Sequence, residues 1–244
     1  MDGAKPISNP LSSCTQLSTK SVNKACQFMH NPIDLHWQAV KRILSYLKGS
    51  ITQGLQLRAS SNFDILAYAD ADYAGCPDTR KSTSGHCIFL GNSLVSWSSN
   101  KQKVVARSIT EGEYRSLALC TTEVCWIQNL LKELCVSLSR VPTILCDNMG
   151  ATYLAINPLL HSRIKHVEID MCFLREKIAS RALCVKYVST VDQLADLLTK
   201  GLSTTRFDLL KFKLNVSSPQ FNLRGGERPQ VSNNLLRIDR VCCK

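Results

Sequence analysis

Ala67-Tyr68-Ala69-Asp70-Ala71-Asp72-Tyr73-Ala74-Gly75 is the stretch from which the rest of this chain can be read. Asp64 to Asp70 reads as a strand, and it ends on a carboxylate. A second strand is predicted from Gly85 to Leu90, β-branched and aromatic enough to qualify. The Gly91-Asn92 turn and Leu94 to Trp97 then complete a hairpin signal. Beyond the meander the texture changes to a long helix, about Thr110 to Leu134. A fourth strand follows, Thr143 to Cys146, opened by Pro142. Helices are predicted around Ala151 to Ile156 and about Val167 to Ile178, with a fifth strand from Leu183 to Val188. A last helix runs from about Val191 to Thr199. A three-stranded meander followed by alternating helix and strand predicts an α/β fold, a mixed sheet covered by helices.

Outward from this core, Leu35 to Leu47 reads as an amphipathic helix. Trp37, Val40, Leu44 and Leu47 form its stripe, Lys41, Arg42 and Lys48 lie beside it, and Gly49 is the C-cap candidate. A shorter helix is predicted from Val22 to Met29. Residues 1–20, polar and rich in Ser and Pro, and the tail beyond Asn215 are expected to hold little order. The expected division is therefore a remnant at 1–20, a helical extension at 21–59, a main domain at 60–202 and a basic, mostly disordered tail at 203–244.

The chain has 244 residues, 44% of them hydrophobic, enough for one good-sized core plus extensions. No apolar run reaches the ~18 residues a membrane span needs, and the N-terminus lacks a signal-peptide core. A soluble, intracellular protein with no membrane partner, cytoplasmic or nuclear, is expected. Of the twelve cysteines, Cys87, Cys120, Cys125, Cys146 and Cys184 sit in apolar runs, and no Cys-x-x-Cys pair occurs. They read as small buried hydrophobes in a reducing compartment rather than as disulfides or zinc ligands.

The net charge of +11 is unevenly spread. Residues 1–59 hold seven Lys/Arg against two Asp/Glu, and residues 203–244 hold eight against three, +5 each. The middle, 60–202, holds fifteen against fourteen. Basic flanks point to an anionic partner such as nucleic acid, although a solvated surface has the same signature.

Within the nearly neutral centre four carboxylates stand in demanding places. Asp70 and Asp147 end strands, Glu113 lies in the first turn of the long helix, and Asp196 lies in the last helix. Each has an ordinary alternative. A strand-end Asp starts a turn or caps a helix, Glu113 closes a capping box begun by Thr110, and Asp196 sits on a solvated face. Helical geometry adds a constraint on Glu113. At 100° per residue, Leu117, Cys120, Val124, Ile127, Leu131 and Leu134 fall within roughly 60° of one line with it, which carries Glu113 towards the sheet. Glu111 points nearly the opposite way and can close an alternative capping box with Ser108.

The joint pattern resembles the ribonuclease H region of copia-type LTR retrotransposon polyproteins. The likeness is carried by Tyr68 to Gly75, Arg80-Lys81-Ser82-Thr83-Ser84-Gly85, Trp97-Ser98-Ser99-Asn100-Lys101-Gln102 and Thr110-Glu111-Gly112-Glu113-Tyr114. It continues through Cys146-Asp147-Asn148, His161-Ser162-Arg163-Ile164-Lys165-His166 and Asp192 to Lys200. The resemblance implies a ribonuclease H-like five-stranded mixed sheet flanked by helices. It also implies an endoribonuclease that cuts the RNA strand of RNA–DNA hybrids, with no small-molecule substrate. Asp70, Glu113, Asp147 and Asp196 would be both catalytic residues and ligands of two Mg²⁺ ions, Mn²⁺ being possible. Two hard ions about 3.5–4 Å apart activate the attacking water and stabilise the leaving 3′ oxygen. Nucleic-acid contacts would come from Ser98, Lys101, Gln102, Arg163, Lys165 and His166. The hybrid would be told from DNA by shape and by the 2′-hydroxyl.

Some positions depart from the pattern. Tyr73 stands where the family usually has Trp, and Tyr187-Val188-Ser189-Thr190-Val191 lacks the loop His of cellular ribonucleases H, which predicts modest turnover. Cys26 to Pro32 and His36 to Leu44 look like the end of a reverse-transcriptase region, Met1 to Ser13 like a segment found earlier. A stretch of the pattern is missing around Lys20-Ser21, as in a truncated or internally deleted fragment. No adjacent Asp-Asp pair exists, so polymerase activity is not expected. The rival reading is an inactive transposon remnant that binds nucleic acid through its basic flanks. An integrase is disfavoured because its zinc-binding His/Cys module is absent.

Overall fold

The computed structural model describes residues 5–10, 33–60, 62–76, 79–157 and 168–218. The elements, in order, are α1 (Asp34–Ser50), β1 (Gly54–Leu55), β2 (Ile65–Asp72), β3 (Thr83–Leu90), β4 (Ser93–Lys101) and α2 (Ile109–Glu133). Then come β5 (Thr143–Cys146), α3 (Met149–Ile156), α4 (Glu168–Ala179), β6 (Cys184–Tyr187), α5 (Asp196–Thr199), α6 (Thr204–Lys213) and β7 (Val216–Ser217). The main sheet has the order β4-β3-β2-β5-β6. β2, β3 and β4 pair antiparallel, and β2, β5 and β6 run parallel. This is the ribonuclease H-like five-stranded mixed sheet that the resemblance implied.

Period-two alternation gives the sheet two apolar faces. On one, Ala67, Ala69, Ile88, Ile144 and Val185 meet Leu117, Cys120 and Val124 of α2 and Leu174 of α4. On the other, Tyr68, Cys87, Phe89 and Leu145 meet Leu194, Leu210 and Leu214. Full burial of a side chain such as Leu117 stabilises by roughly 1.5–3 kcal/mol. Gly91 takes φ +58 in the two-residue loop between β3 and β4, a backbone that glycine adopts without a Cβ clash. All eight cysteines among the described residues are free thiols, with Cys76, Cys87, Cys120 and Cys146 buried.

Four local expectations change. The predicted last helix is broken into a 3-10 turn (Thr190–Asp192) and the single turn of α5. Between them Gln193 takes an extended backbone, φ −70 and ψ 105, and its buried amide bonds to main chain in place of a helical turn. Gly49 lies inside the last turn of α1 rather than capping it. A Cβ there would stand 3.1 Å from Cβ of Pro6, so its small size admits the segment at 5–7. Trp37, Leu44 and Leu47 of the apolar stripe of α1, which amphipathicity would turn inward, are exposed. The region 203–218, read as tail, holds α6 and β7. Phe207 and Leu210 are buried, Phe207 packs edge-on against Tyr46 of α1, and β7 pairs with β1. The predicted helix over 22–29, most of the first twenty residues and the tail after 218 lie outside the described residues. Among those described, no helix is long and apolar enough to cross a membrane.

Candidate metal centre

The cluster forms where the parallel strands β2 and β5 end. Tyr68 lies level with Leu145, so Asp70 and Asp147, each two residues further, come level beyond the paired segment. Asp196 opens α5, which packs against this end from the face of Leu194 and Ala195. Carboxylate oxygens of Asp70, Asp147 and Asp196 lie within 4.8 Å of one another. Glu113 arrives from α2 on the opposite face, its carboxylate within the same distance of Asp147 and of Cys146 Sγ. The four sequence-predicted carboxylates are thus brought together from β2, α2, α5 and the residue that follows β5.

Two side chains hold β2 in place. The Ser116 hydroxyl of α2 donates to the Asp70 carbonyl at 2.7 Å and lies 3.3 Å from the Gly85 carbonyl. From the other face Gln193 donates to the Ala69 carbonyl at 2.9 Å and accepts from the Ala195 N–H at 3.2 Å. Opposite Asp70 in the ladder stands Gly85. A Cβ on Gly85 would lie 2.5 Å from Cγ2 of Thr199 and 3.1 Å from Cβ of Leu198. The missing side chain is what lets α5 sit close to the sheet.

α2 starts at Ser108, the alternative cap, but the box is only half closed, because the return bond from Glu111 goes to the residue before the N-cap. Ser108 is the N-cap and accepts from the Glu111 N–H at 3.1 Å, while the Glu111 carboxylate accepts from the Arg107 N–H at 2.9 Å and pairs with Arg115 at 2.9 Å. Thr110 is not the cap, so Glu113 is free of that duty. The buried stripe runs as far as Leu131, while Leu134, past the end of the helix, is exposed.

The electrostatics are those of crowded, desolvated acids. Asp70 is fully buried, and Glu113 and Asp196 are buried with it. Burial, then the neighbouring Asp70 and Asp147, push the Glu113 carboxyl from 4.5 up to about 9, against the opposing pull of Lys200 and the Ala71 backbone N–H. Burial likewise raises Asp196, with Lys200 opposing. The Lys200 ammonium donates to Oδ1 of Asp70 at 2.9 Å and to Oδ1 of Asp196 at 2.6 Å. Burial alone would lower its pKa, but the two carboxylates outweigh burial and raise it. The Thr199 hydroxyl donates to Oδ2 of Asp70, and the Arg206 guanidinium lies 3.7 Å from Oδ2 of Asp196.

A hard divalent cation fits this donor set. Such ions prefer carboxylate oxygen and tolerate flexible coordination, and clustered acids need the positive charge. Cys146 Sγ also lies within 4.8 Å of Glu113 and Asp147, but sulfur is a soft donor that a hard ion does not favour.

The predicted nucleic-acid contacts fare unevenly. Ser98 is half-buried and accepts from the Asn100 side chain at 2.6 Å, and Lys101 Nζ lies 2.9 Å from Cys76 Sγ. Gln102 departs from the expectation of a substrate contact. It is buried, with its amide N–H groups donating to Ser84 Oγ and to the Gly112 carbonyl, so it joins β3 to the first turn of α2. Arg163, Lys165 and His166 lie outside the described residues. Lys200, Thr199, Gln193 and Arg206 escaped the sequence reading. For Lys200 one signal existed, the i,i+4 spacing from Asp196.

No family model matches the chain. It is 51% identical over 197 residues to the retrovirus-related Pol polyprotein from transposon RE1 of Arabidopsis thaliana, covering 81% of this chain and 13% of that protein. It is 50% identical over 196 residues to that from transposon RE2 of the same plant, covering 80% and 14%. With the polyprotein from transposon TNT 1-94 of Nicotiana tabacum it shares 35% over 191 residues, 78% of this chain and 14% of that protein. The chain therefore spans about one seventh of the length of these relatives. Among solved structures it is similar to the N-terminal RNase H domain of rv2228c from Mycobacterium tuberculosis, solved as a fusion with maltose binding protein. There the TM-score is 0.41 at 11% identity, over 62% of this chain and 98% of that one. For LC11-RNase H1 in complex with an RNA/DNA hybrid the TM-score is 0.44 at 11% identity, over 56% and 94%.

Proposed function

This chain belongs to the retrovirus-related Pol polyproteins of copia-type transposons, and on that premise we propose that its ribonuclease H region is a Mg²⁺-dependent endonuclease cutting the RNA strand of RNA–DNA hybrids. The observation that carries the reading is the meeting of three carboxylates within 4.8 Å at the end of the parallel strands, with Glu113 alongside. Asp70, Glu113, Asp147 and Asp196 would hold the metal. When bound, Mg²⁺ would activate the attacking water and stabilise the leaving oxygen.

The protein's own groups set the terms. Glu113 has to release its proton before it can serve as a ligand, so metal uptake is coupled to proton release. The Thr199 hydroxyl and the Lys200 ammonium each take one oxygen of Asp70, which fixes the orientation of its carboxylate. Gln193 and Ser116 keep the end of β2 from moving as charge enters. Discrimination of the hybrid would rest on its shape and on the 2′-hydroxyl.

A second reading has one observation in its favour. Lys200 already neutralises part of the cluster, as a purely structural ion-pair network would. Its outcome is a folded remnant that binds nucleic acid without cutting it. Hybrid cleavage in Mg²⁺ compared with EDTA, with Asp70→Asn beside the wild type, separates the two. Metal-dependent cleavage lost in the variant supports the nuclease. Hybrid binding without cleavage supports the remnant.

A further inference from the structure

We propose that Lys200 is a built-in counterion of the carboxylate cluster, one that a divalent cation entering between Asp70 and Asp196 must displace. The inference deepens the metal-centre reading above and rests on it.

The ammonium sits where a cation would. It bridges Oδ1 of Asp70 and Oδ1 of Asp196, which belong to the two residues that with Asp147 supply the clustered oxygens. These oxygens cannot serve a compact ammonium and a metal in the same space. Asp70, Asp147 and Asp196 against one ammonium leave an excess of negative charge, which a divalent ion taking the place of the ammonium would offset more fully.

Exposure distinguishes the partners. The side chains of Asp70 and Asp196 are 0% and 5% exposed, whereas that of Lys200 is 34% exposed. The Lys200 backbone N–H is held by the Asp196 carbonyl at 2.9 Å, so the flexible four-carbon stem can withdraw into solvent while the main chain stays. Arg206, the other cation at Asp196, has no such freedom. Its guanidinium also donates to the carbonyls of Thr190 and Val191. Lys200 is therefore the exchangeable charge. It holds the cluster together without metal and lowers the affinity of the cluster for metal.

The test uses the full chain and Mn²⁺ as probe, with free Mn²⁺ followed by electron paramagnetic resonance. Lys200→Met keeps the stem and removes the charge, and Asp147→Asn removes a proposed ligand that Lys200 does not touch. Lys200→Met should bind Mn²⁺ about tenfold more tightly than wild type, an interaction of about 1.4 kcal/mol. In EDTA it should melt at a lower temperature and recover with Mn²⁺. Lys200→Gln, which retains a donor for the two oxygens, should show the same order and serves if Lys200→Met does not fold. Equal or weaker Mn²⁺ binding in the Lys200 variants, with Asp147→Asn still abolishing it, overturns the counterion and leaves the metal centre standing. Absence of any Asp147-dependent binding in folded protein overturns the metal centre, and the counterion with it.

Discussion

Asp70 and Gly85 stand opposite each other in the ladder between β2 and β3, and the side chain Gly85 lacks is the space in which Thr199 lies. One residue of the sheet thereby sets how near Asp196, at the other end of the same short helix, comes to Asp70. The pairing makes a glycine with no chemistry of its own a positioning residue for the cluster.

Gly85→Ala should accordingly weaken Mn²⁺ binding and cost roughly 1–3 kcal/mol in overpacking strain. Gly54→Ala is the comparison, since a Cβ at Gly54 meets nothing within 4 Å. It should stay within about 0.5 kcal/mol of wild type. Calorimetric melting and Mn²⁺ titration read both effects, and a Gly85→Ala protein that binds metal normally would refute the positioning role.

Glu113 carries a pH signature. Its carboxyl is raised from 4.5 to about 9 in the folded chain, so the native state keeps a proton that the unfolded state gives up. Stability of the metal-free protein from this group is fully present below pH 4.5 and is lost as pH rises towards 9. Glu113→Gln lacks this loss. In EDTA the variant should match wild type near pH 5 and exceed it at pH 8, while losing metal-dependent cleavage. Denaturant titrations at the two pH values decide the matter. A gap that is the same at both would show that Glu113 does not titrate in this way.

Glu111, two residues earlier, should behave in the opposite manner. Sequence alone suggested a surface cap, with Glu111→Gln costing less than about 1 kcal/mol. The structure buries the carboxylate against the Arg107 N–H and against Arg115, itself only 13% exposed. Leaving Arg115 without its partner raises the expected cost to about 1–3 kcal/mol, with cleavage within a few-fold of wild type once folded. Chemical denaturation beside a cleavage assay checks this. Full activity loss at unchanged stability would assign Glu111 to the chemistry instead.

The basic tail has to be tested from a different boundary than the sequence suggested. Removing 203–244 would take away Phe207 and Leu210, which are buried, and would damage the fold. Removing 219–244 instead takes away five Lys/Arg and two Asp/Glu, a net +3. If those residues touch substrate, the slope of log affinity for a hybrid against log salt should flatten by about 0.9 per lost phosphate contact, with the cleavage rate at saturation unchanged. An unchanged slope places the tail off the nucleic acid.

Sequence by itself determined the strand–helix succession from β2 to β6, the N-cap of α2 as one of two options, and the inward direction of Glu113. These are local properties. Period two or 3.6 fixes which face a side chain occupies, and a cap is decided within four residues. The acids and their order were legible because carboxylates at strand ends and in a buried helical stripe are costly without a partner. What only the tertiary structure decided lies at long range. Lys200 meets Asp70 across 130 residues, Gln193 reaches the Ala69 carbonyl across 124, and Gly85 leaves room for Thr199. Gln102, read as a surface contact, turned inward because the first turn of α2 offered its amide a carbonyl. Helix α6 in the supposed tail became part of the fold by burying Phe207 and Leu210. None of these partners is implied by spacing along the chain. The polar partners meet because the order β4-β3-β2-β5-β6 brings separate segments to one end of the central strands, where buried polar groups take the partner within reach.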